Sequence, residues 1–519
     1  MLFTSVVIFA FSFTTSGAKD TYKAAVLEHY PIKDTNSYED LVNTAKLYLN
    51  YIEDAAREQA DIIVFPEDGL TASVNSEDSL WASSTKVPNP EQKISPCDDR
   101  TGIYSEFLVE FSCASKMHRI YSVMNLVEAV ENRTGGRPIL YNSNVVFDRN
   151  GTVIARHRKI NLYEEYYYQP GLNTITTFTT DFGVTFGTFI CFDIFFQSPA
   201  DDLLKKANVT DIAFSTSWYQ ELPFFIGNSV QHAYAVLNGV NFLASGMSDL
   251  DLGMGGSGIY SANGDVLAAF ISGKNDSKLL IADVPKVKTR RDSSNRCHKG
   301  GGNPKSSFAP HINLRETLPA RLKNHTLQSI DLNEPYIYRT VCGSTKFCCT
   351  FNAGIRRTSD EVPTYSYKLL AYDGVTQLDE KSLGFRQCAI IACANSSVES
   401  CGHRNEKPPT GIYFEDLSIT GSFENIESRY MPLTVTYDLL PANHYVFCKK
   451  NDSSKVDVSM YTTRAMDDLM TFGILGRAFQ NDNKPPGRMT YANSSNKTKA
   501  NTLRVVLLLA MFYVNPFSF

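Results

Sequence analysis

The sequence predicts an α/β layered domain followed by a mostly β domain stapled by disulfides, and three features carry that prediction. From Tyr22 to about Asp283, short apolar strands alternate with amphipathic helices, the signature of a layered α/β unit. Between Lys286 and Lys305 the alternation stops in a run with seven Lys or Arg, one Asp and Gly300-Gly301-Gly302, which reads as a solvated linker. Beyond about His311, strand and turn signals dominate, and seven of the eleven cysteines lie between Cys342 and Cys448.

The elements follow in order. Ala24 to Leu27 is a strand. Ser37 and Asp40 resemble a capping box, after which Leu41, Ala45, Tyr48, Ile52 and Ala55 recur at helical spacing. Ile62 to Phe65 is a buried strand ending in Pro66-Glu67. Ile120 to Val127, Ser143 to Phe147 and Val153 to His157 are further strands, the last two joined by an Asn150-Gly151 turn. Gly183 to Ile190 is a strand, and Ser198-Pro199-Ala200-Asp201 starts a helix with Pro at its first position. In the second half, Tyr365 to Tyr372 is a strand, and Leu433, Val435 and Tyr437 alternate with Thr434 and Thr436. The expected divisions are 1–18, 19–285, 286–310, 311–492 and 493–519: leader, α/β domain, basic linker, β-rich domain and tail signal.

Both ends read as processing signals. Leu2 to Phe13 is apolar but too short to span a bilayer, and Ser16-Gly17-Ala18 offers small residues for cleavage. A buried first strand or helix is the alternative. At the other end, small residues Asn493-Ser494-Ser495 precede a polar spacer and an apolar run from Val505. That order is the pattern of a lipid-anchor signal, with Asn493 as the candidate attachment site and the membrane as a partner. A disordered apolar tail or a short span is the alternative. Sequons at Asn132, Asn150, Asn208, Asn275, Asn324, Asn395, Asn451, Asn493 and Asn496 fit the secretory route. Ten of eleven cysteines can pair in an oxidising compartment, leaving one thiol that needs an explanation. The net charge of −5 is weak for 519 residues and argues against a nucleic-acid partner.

Cys191 is the natural odd thiol. It sits where a strand ends, the edge at which α/β sheets present reactive groups. Its neighbours Phe189, Ile190 and Phe192 also suit an inert core cysteine. A thiol attacks a carbonyl as thiolate, which needs a nearby base or cation. Glu67 and Lys159 also mark carboxyl ends of expected strands, so one cleft could hold all three. His157 and His232 raise a Cys–His protease reading, but no such motif surrounds Cys191.

At these residues the chain becomes recognisable. Asp61 to Gly69 resembles the glutamate motif of the nitrilase superfamily, Arg158 to Tyr163 its lysine motif, and Thr188 to Ile194 its cysteine motif. Tyr141-Asn142 with Asn144 to Asp148, Asp193 to Phe196 through Pro199-Ala200, Val240 to Ser245 and Gly256 to Tyr260 resemble the vanin (pantetheinase) and biotinidase branch. The resemblance implies an αββα sandwich with a Glu-Lys-Cys triad. By position, Glu67 is the general base, Lys159 the oxyanion stabiliser and Cys191 the nucleophile. The backbone N–H of Phe192 assists, and Glu165 matches a second glutamate beside the substrate, although Glu164 is adjacent. Tyr166-Tyr167-Tyr168 and the segment Met247 to Gly255 depart from the pattern and flank the expected cleft.

The resemblance therefore implies an amidohydrolase that splits pantetheine into pantothenate and cysteamine, with a small-molecule amide as partner and no cofactor or metal. Biotin amides are the alternative substrate, and a catalytically silent surface binding protein is the alternative class. Cys342, Cys348 and Cys349 could suggest zinc, but no matching histidine pattern accompanies them, which favours disulfides.

Overall fold

The structure, a computed structural model, describes residues 19–489 except 35–37, 75, 291–294, 303–311, 313, 315–321, 345 and 359–361. The expected leader (1–18) and the anchor signal with Asn493 and Asn496 lie outside the described residues, as does Ser37 of the expected capping box.

The first half is built on two packed sheets. In the first, β1 (Thr21–Glu28), β2 (Ile62–Val64) and β3 (Tyr121–Val130) run parallel, β4 (Ile139–Phe147) and β5 (Val153–Arg158) continue antiparallel, and β12 (Lys278–Pro285) closes the other edge. The second contains β6 (Thr176–Thr179), β7 (Thr185–Ile190), β8 (Asp211–Thr216), β9 (Asn241–Gly246), β10 (Ser257–Tyr260) and β11 (Asp265–Phe270). Val26, Val64, Val123 and Val146 from one sheet meet Phe186, Ala213, Leu243 and Ile259 from the other in a shared core. The strands are therefore apolar on both faces, as buried parallel strands must be.

Helices cover the outer faces. α1 (Tyr38–Arg57) buries Leu41, Ala45, Tyr48, Ile52 and Ala55, the spaced set read from the sequence, together with Asp40 and Thr44. It packs beside α3 (Glu106–His118) on the first sheet, and α2 (Glu77–Ala82) lies in the connection between them. α4 (Asp202–Lys206) and α5 (Gly227–Asn238) cover the second sheet. α5 is buried on all sides from Gly227 to Leu237, because β20 (Ser428–Thr436) of the second half lies on its outer face.

The second half is mostly β. β14 (Thr326–Ser329), β17 (Ser366–Leu378), β18 (Lys381–Cys393), β23 (Leu469–Ala478) and β20 form one sheet, with the short β24 (Gly487–Arg488) on β17. β15 (Tyr336–Ser344), β16 (Phe347–Arg357), β19 (Ile412–Glu424), β22 (Lys455–Thr462) and β21 (Tyr445–Asn451) extend the second sheet of the first half to twelve strands through β13 (Asn295–Gly302). Cysteines pair as Cys97–Cys113, Cys297–Cys448, Cys342–Cys348, Cys349–Cys388 and Cys393–Cys401.

One expectation is corrected. The linker assigned to 286–310 contains β13, which pairs with β21 and touches β11. Its charged residues face solvent, so it has no apolar alternation to read, and Gly300 is needed because a Cβ there would come 2.1 Å from the Tyr445 ring. The helix start expected at Ser198-Pro199 is present in irregular form: Ser198 is extended, the backbone is helical from Pro199, and regular α-helix follows as α4 from Asp202. Asn161 Nδ2 donates to the Ser198 carbonyl at 3.1 Å. The alternating stretch from Leu433 lies on β20, which is covered on both faces, so Thr434 is buried too; its hydroxyl accepts from Ala442 N at 2.9 Å.

Candidate active site

The carboxyl ends of β2, β5, β7 and β8 converge. After β2 the chain turns through Pro66, Glu67 and Asp68, whose φ is +57°. Gly69 completes the turn against α1, where a Cβ would come 2.1 Å from the Tyr48 hydroxyl. Lys159 follows β5 and is held by its N–H to Asn142 O at 2.8 Å. Cys191 follows β7 with φ +45°, a left-handed conformation unusual for a residue bearing a Cβ and found where a turn is held by its surroundings.

The turn is held by Asp193. Its carboxylate accepts from Ile190 N at 3.3 Å, and from Asn161 N and Asn161 Nδ2 at 2.8 Å each. His157 Nε2 lies 3.2 Å from the same carboxylate, so this histidine braces the turn. Thus Asp193 ties the loop after Lys159 to the turn bearing Cys191. His232 bonds to Gly264 O at 2.9 Å within α5's buried surroundings. Neither histidine is paired with the thiol.

Around the thiol, Lys159 Nζ donates to Glu67 Oε1 at 2.6 Å and also bonds to Glu165 Oε2. Asn142 Nδ2 donates to the same two carboxylates, 2.8 Å from Glu67 Oε1 and 2.6 Å from Glu165 Oε1. Since carboxylates only accept, the Asn142 amide must turn its NH2 toward them. Its oxygen is occupied by Asn125 Nδ2 at 2.7 Å. Glu67 Oε2 accepts from Ser217 N at 2.8 Å, and the Cys191 thiol donates to Ser217 O at 3.7 Å. Glu165, not Glu164, faces the lysine; Glu164 is exposed.

Electrostatics set the resting proton positions. Burial raises Glu67 above the ordinary carboxylate range, opposed by Lys159 and reinforced by Glu165. Burial, then the Glu67 charge, pushes the Cys191 thiol well up, so it rests protonated. For Lys159, burial works downward but is outweighed by Glu165 and Glu67, which leave it firmly charged. One fixed cation between two carboxylates, beside a neutral thiol, leaves a base able to accept the thiol proton and a cation ready for a developing oxyanion.

Cys191 opens onto a narrow cleft of about 60 Å3 lined by Tyr163, Phe192, Phe195, Trp218, Tyr219, Glu221 and Phe225. Trp218 is fixed by its indole N–H to Phe225 O at 2.8 Å. Leu378, from the tip between β17 and β18, completes the wall. Tyr166 and Tyr167 are exposed and do not wall this cleft. Met247 to Gly255 instead backs the wall, with Gln220 N on Gly253 O at 2.7 Å and Gly255 N on Trp218 O at 3.1 Å.

Residues 23–292 match the family model described as Carbon-nitrogen hydrolase, and residues 316–482 match the Vanin C-terminal domain. The chain belongs to the carbon–nitrogen hydrolase family. Vanin-like protein 1 of Drosophila melanogaster is 32% identical over 84% of this chain and 82% of that protein. Pantetheinase of Homo sapiens is 30% identical over 80% and 82%. The structure of Saccharomyces cerevisiae Nit3, a member of branch 10 of the nitrilase superfamily, aligns at 19% identity, covering 51% of this chain and 89% of that chain with a TM-score of 0.40. This carbon–nitrogen hydrolase is a vanin-type amidohydrolase acting on amides. Sequence reasoning gave no role to Asn142, Asn125 or Ser217. Asn142 lay inside a stretch noted only for its resemblance. Ser217 acts through its backbone, which leaves no trace in the side-chain pattern.

Proposed function

We propose that the chain hydrolyses the amide of pantetheine to pantothenate and cysteamine, with Cys191 as nucleophile. The observation that carries this reading is one unpaired thiol, Cys191, lining an aromatic cleft, with the buried Glu67–Lys159 pair near enough for both charges to act on it. Relatives bearing the name pantetheinase, at about 30% identity over most of both chains, support the choice of acyl group.

Glu67 takes the thiol proton as sulfur bonds to the carbonyl carbon. Lys159 and the Phe192 N–H hold the resulting oxyanion. Glu67 returns the proton to the amine nitrogen, the C–N bond breaks, and cysteamine leaves a thioester on Cys191. Water, deprotonated by Glu67, then attacks the thioester; pantothenate departs and the thiol regains its proton. Glu165 and Asn142 keep the lysine and the base aligned.

The reaction takes place in an oxidising, extracellular setting, supported by five disulfides and by the exposure of Asn150, Asn208, Asn275, Asn324 and Asn395; Asn132 and Asn451 are partly exposed. Among the described residues no helix is long and apolar enough to cross a membrane. We read surface attachment from the anchor signal at Asn493, and a phospholipase that cuts lipid anchors should release the protein from cells.

The deciding experiment is thiol release from pantetheine by purified protein, beside Cys191→Ala and a biotin-amide substrate. Release by wild type and none by Cys191→Ala is the expected result. Cleavage of the biotin amide alone would move the acyl group. No turnover of either by folded protein would leave a binding protein of the same fold.

A further inference from the structure

The second half of the chain reaches into the site at one place. Strands β17 and β18 pair up to Leu378 and Lys381, leaving Asp379-Glu380 as a two-residue tip. Asp379 has φ +51°, a conformation that Asp tolerates better than most residues. The tip is braced from within: Gln377 Nε2 donates to Asp379 O and Ser382 Oγ to Gln377 Oε1, both at 2.6 Å. Leu378 is buried and walls the cleft with Cys191. Asp379 Oδ2 accepts from Glu164 N at 2.9 Å, and its Oδ1 accepts from the Tyr166 hydroxyl at 3.3 Å.

Those two anchor residues stand on either side of Glu165. Glu164 itself has φ +57°, so its backbone must be held from outside the loop. Glu165 accepts from Tyr163 N at 3.1 Å and reaches Lys159, while the Tyr163 ring stands edge-on to Phe192 with centroids 4.9 Å apart. One loop therefore carries a cleft wall and a partner of the lysine, and Asp379 grips it at the residues between those two duties and the solvent.

We propose that the Leu378-Asp379 tip is a working part of the active site. Leu378 sets which acyl groups fit, and Asp379 is a positioning residue that keeps the 163–166 loop closed on Lys159. The proposal rests on the reading that Cys191 is the reacting thiol, and it gives the second domain a specificity role.

The test uses the full chain with Leu378→Trp, Leu378→Ala, Asp379→Ala and Asp379→Asn. Each is assayed on pantetheine across pH and by the rates at which Cys191 is alkylated by iodoacetamide and by a bulky N-aryl iodoacetamide. Leu378→Trp should slow the bulky reagent and lower kcat/KM by ~10-fold or more, the scale of a pocket-shape change. Its iodoacetamide rate should stay within about two-fold of wild type. Leu378→Ala should speed the bulky reagent. Asp379→Ala should lower kcat by ~10-fold through misplacement of the loop and shift the pH profile downward, with Asp379→Asn restoring most of both. Unchanged bulky-to-small alkylation ratios together with wild-type profiles in folded variants would overturn the proposal. An absence of turnover by wild type, with the alkylation ratios changed as described, would instead sink the pantetheine reading and leave this one standing.

Discussion

At the scale of single residues, the site turns on one charge arrangement. Lys159 and Asn142 each bridge the same two carboxylates, Glu67 and Glu165, so the proposed base cannot rotate without breaking several bonds at once. Glu165 raises the proton affinity of both Lys159 and Glu67. Glu165→Gln removes that negative charge, so both groups should titrate lower. The whole kcat/KM profile of this variant should move to lower pH, and kcat at the optimum should fall by ~10-fold, about 1.4 kcal/mol of transition-state stabilisation. A pH–rate series on pantetheine measures both. Glu67, Lys159 and Cys191 were legible in the sequence because each follows an expected strand, and strand ends share an edge. Glu165 rather than Glu164 was named through the family resemblance alone; no local pattern shows it, since the choice depends on the left-handed backbone at Glu164 and on a contact more than two hundred residues away.

At the scale of elements, the turn Cys191–Phe195 is held from both sides. Within the first domain Asp193 anchors it. From the second, Arg477 Nε on β23 donates to Phe195 O at 2.8 Å, and Arg429 on β20 bonds to Ile194 O and, at 2.6 Å, to Asp201. Arg477 is fully buried; burial pushes its guanidinium down to about 10, and Asp482 at 2.8 Å opposes that shift. Arg477→Met fills the space but leaves the Phe195 carbonyl without this donor and Asp482 without its cation. The expected cost is ~3–5 kcal/mol, the range for breaking a buried pair, seen as a lower denaturation midpoint. Wild-type stability in this variant would show that the clamp contributes nothing. Their hold on this turn could not be read from the sequence, because the carbonyls they grip lie 235 and 282 residues away. Helix α1, by contrast, was legible almost residue by residue, since its core face follows from local 3.6-residue periodicity.

For the whole molecule, the two halves share a sheet and a buried helix, so neither completes its core alone. Strand β13 joins them, and Cys297–Cys448 crosses directly between paired residues of β13 and β21, closing 151 residues of chain. Replacing both cysteines with serine should cost ~2–4 kcal/mol by freeing the unfolded chain, measured as a fall in Tm that reductant reproduces in wild type. An unchanged Tm would mean that sheet pairing alone fixes the junction. The division into an α/β and a β-rich half was legible from the change in periodicity and cysteine density. The junction was not, because a glycine-rich strand with its charges toward solvent carries no hydrophobic pattern.

The central claim is that Cys191 carries the acyl group between amide cleavage and hydrolysis. Its most direct test is acid quenching of wild-type protein turning over pantetheine, followed by peptide mass mapping. A pantothenoyl mass increment on the Cys191 peptide, absent in Cys191→Ala, is the predicted result. Steady turnover with no adduct on that peptide, or with the adduct on another residue, would contradict it.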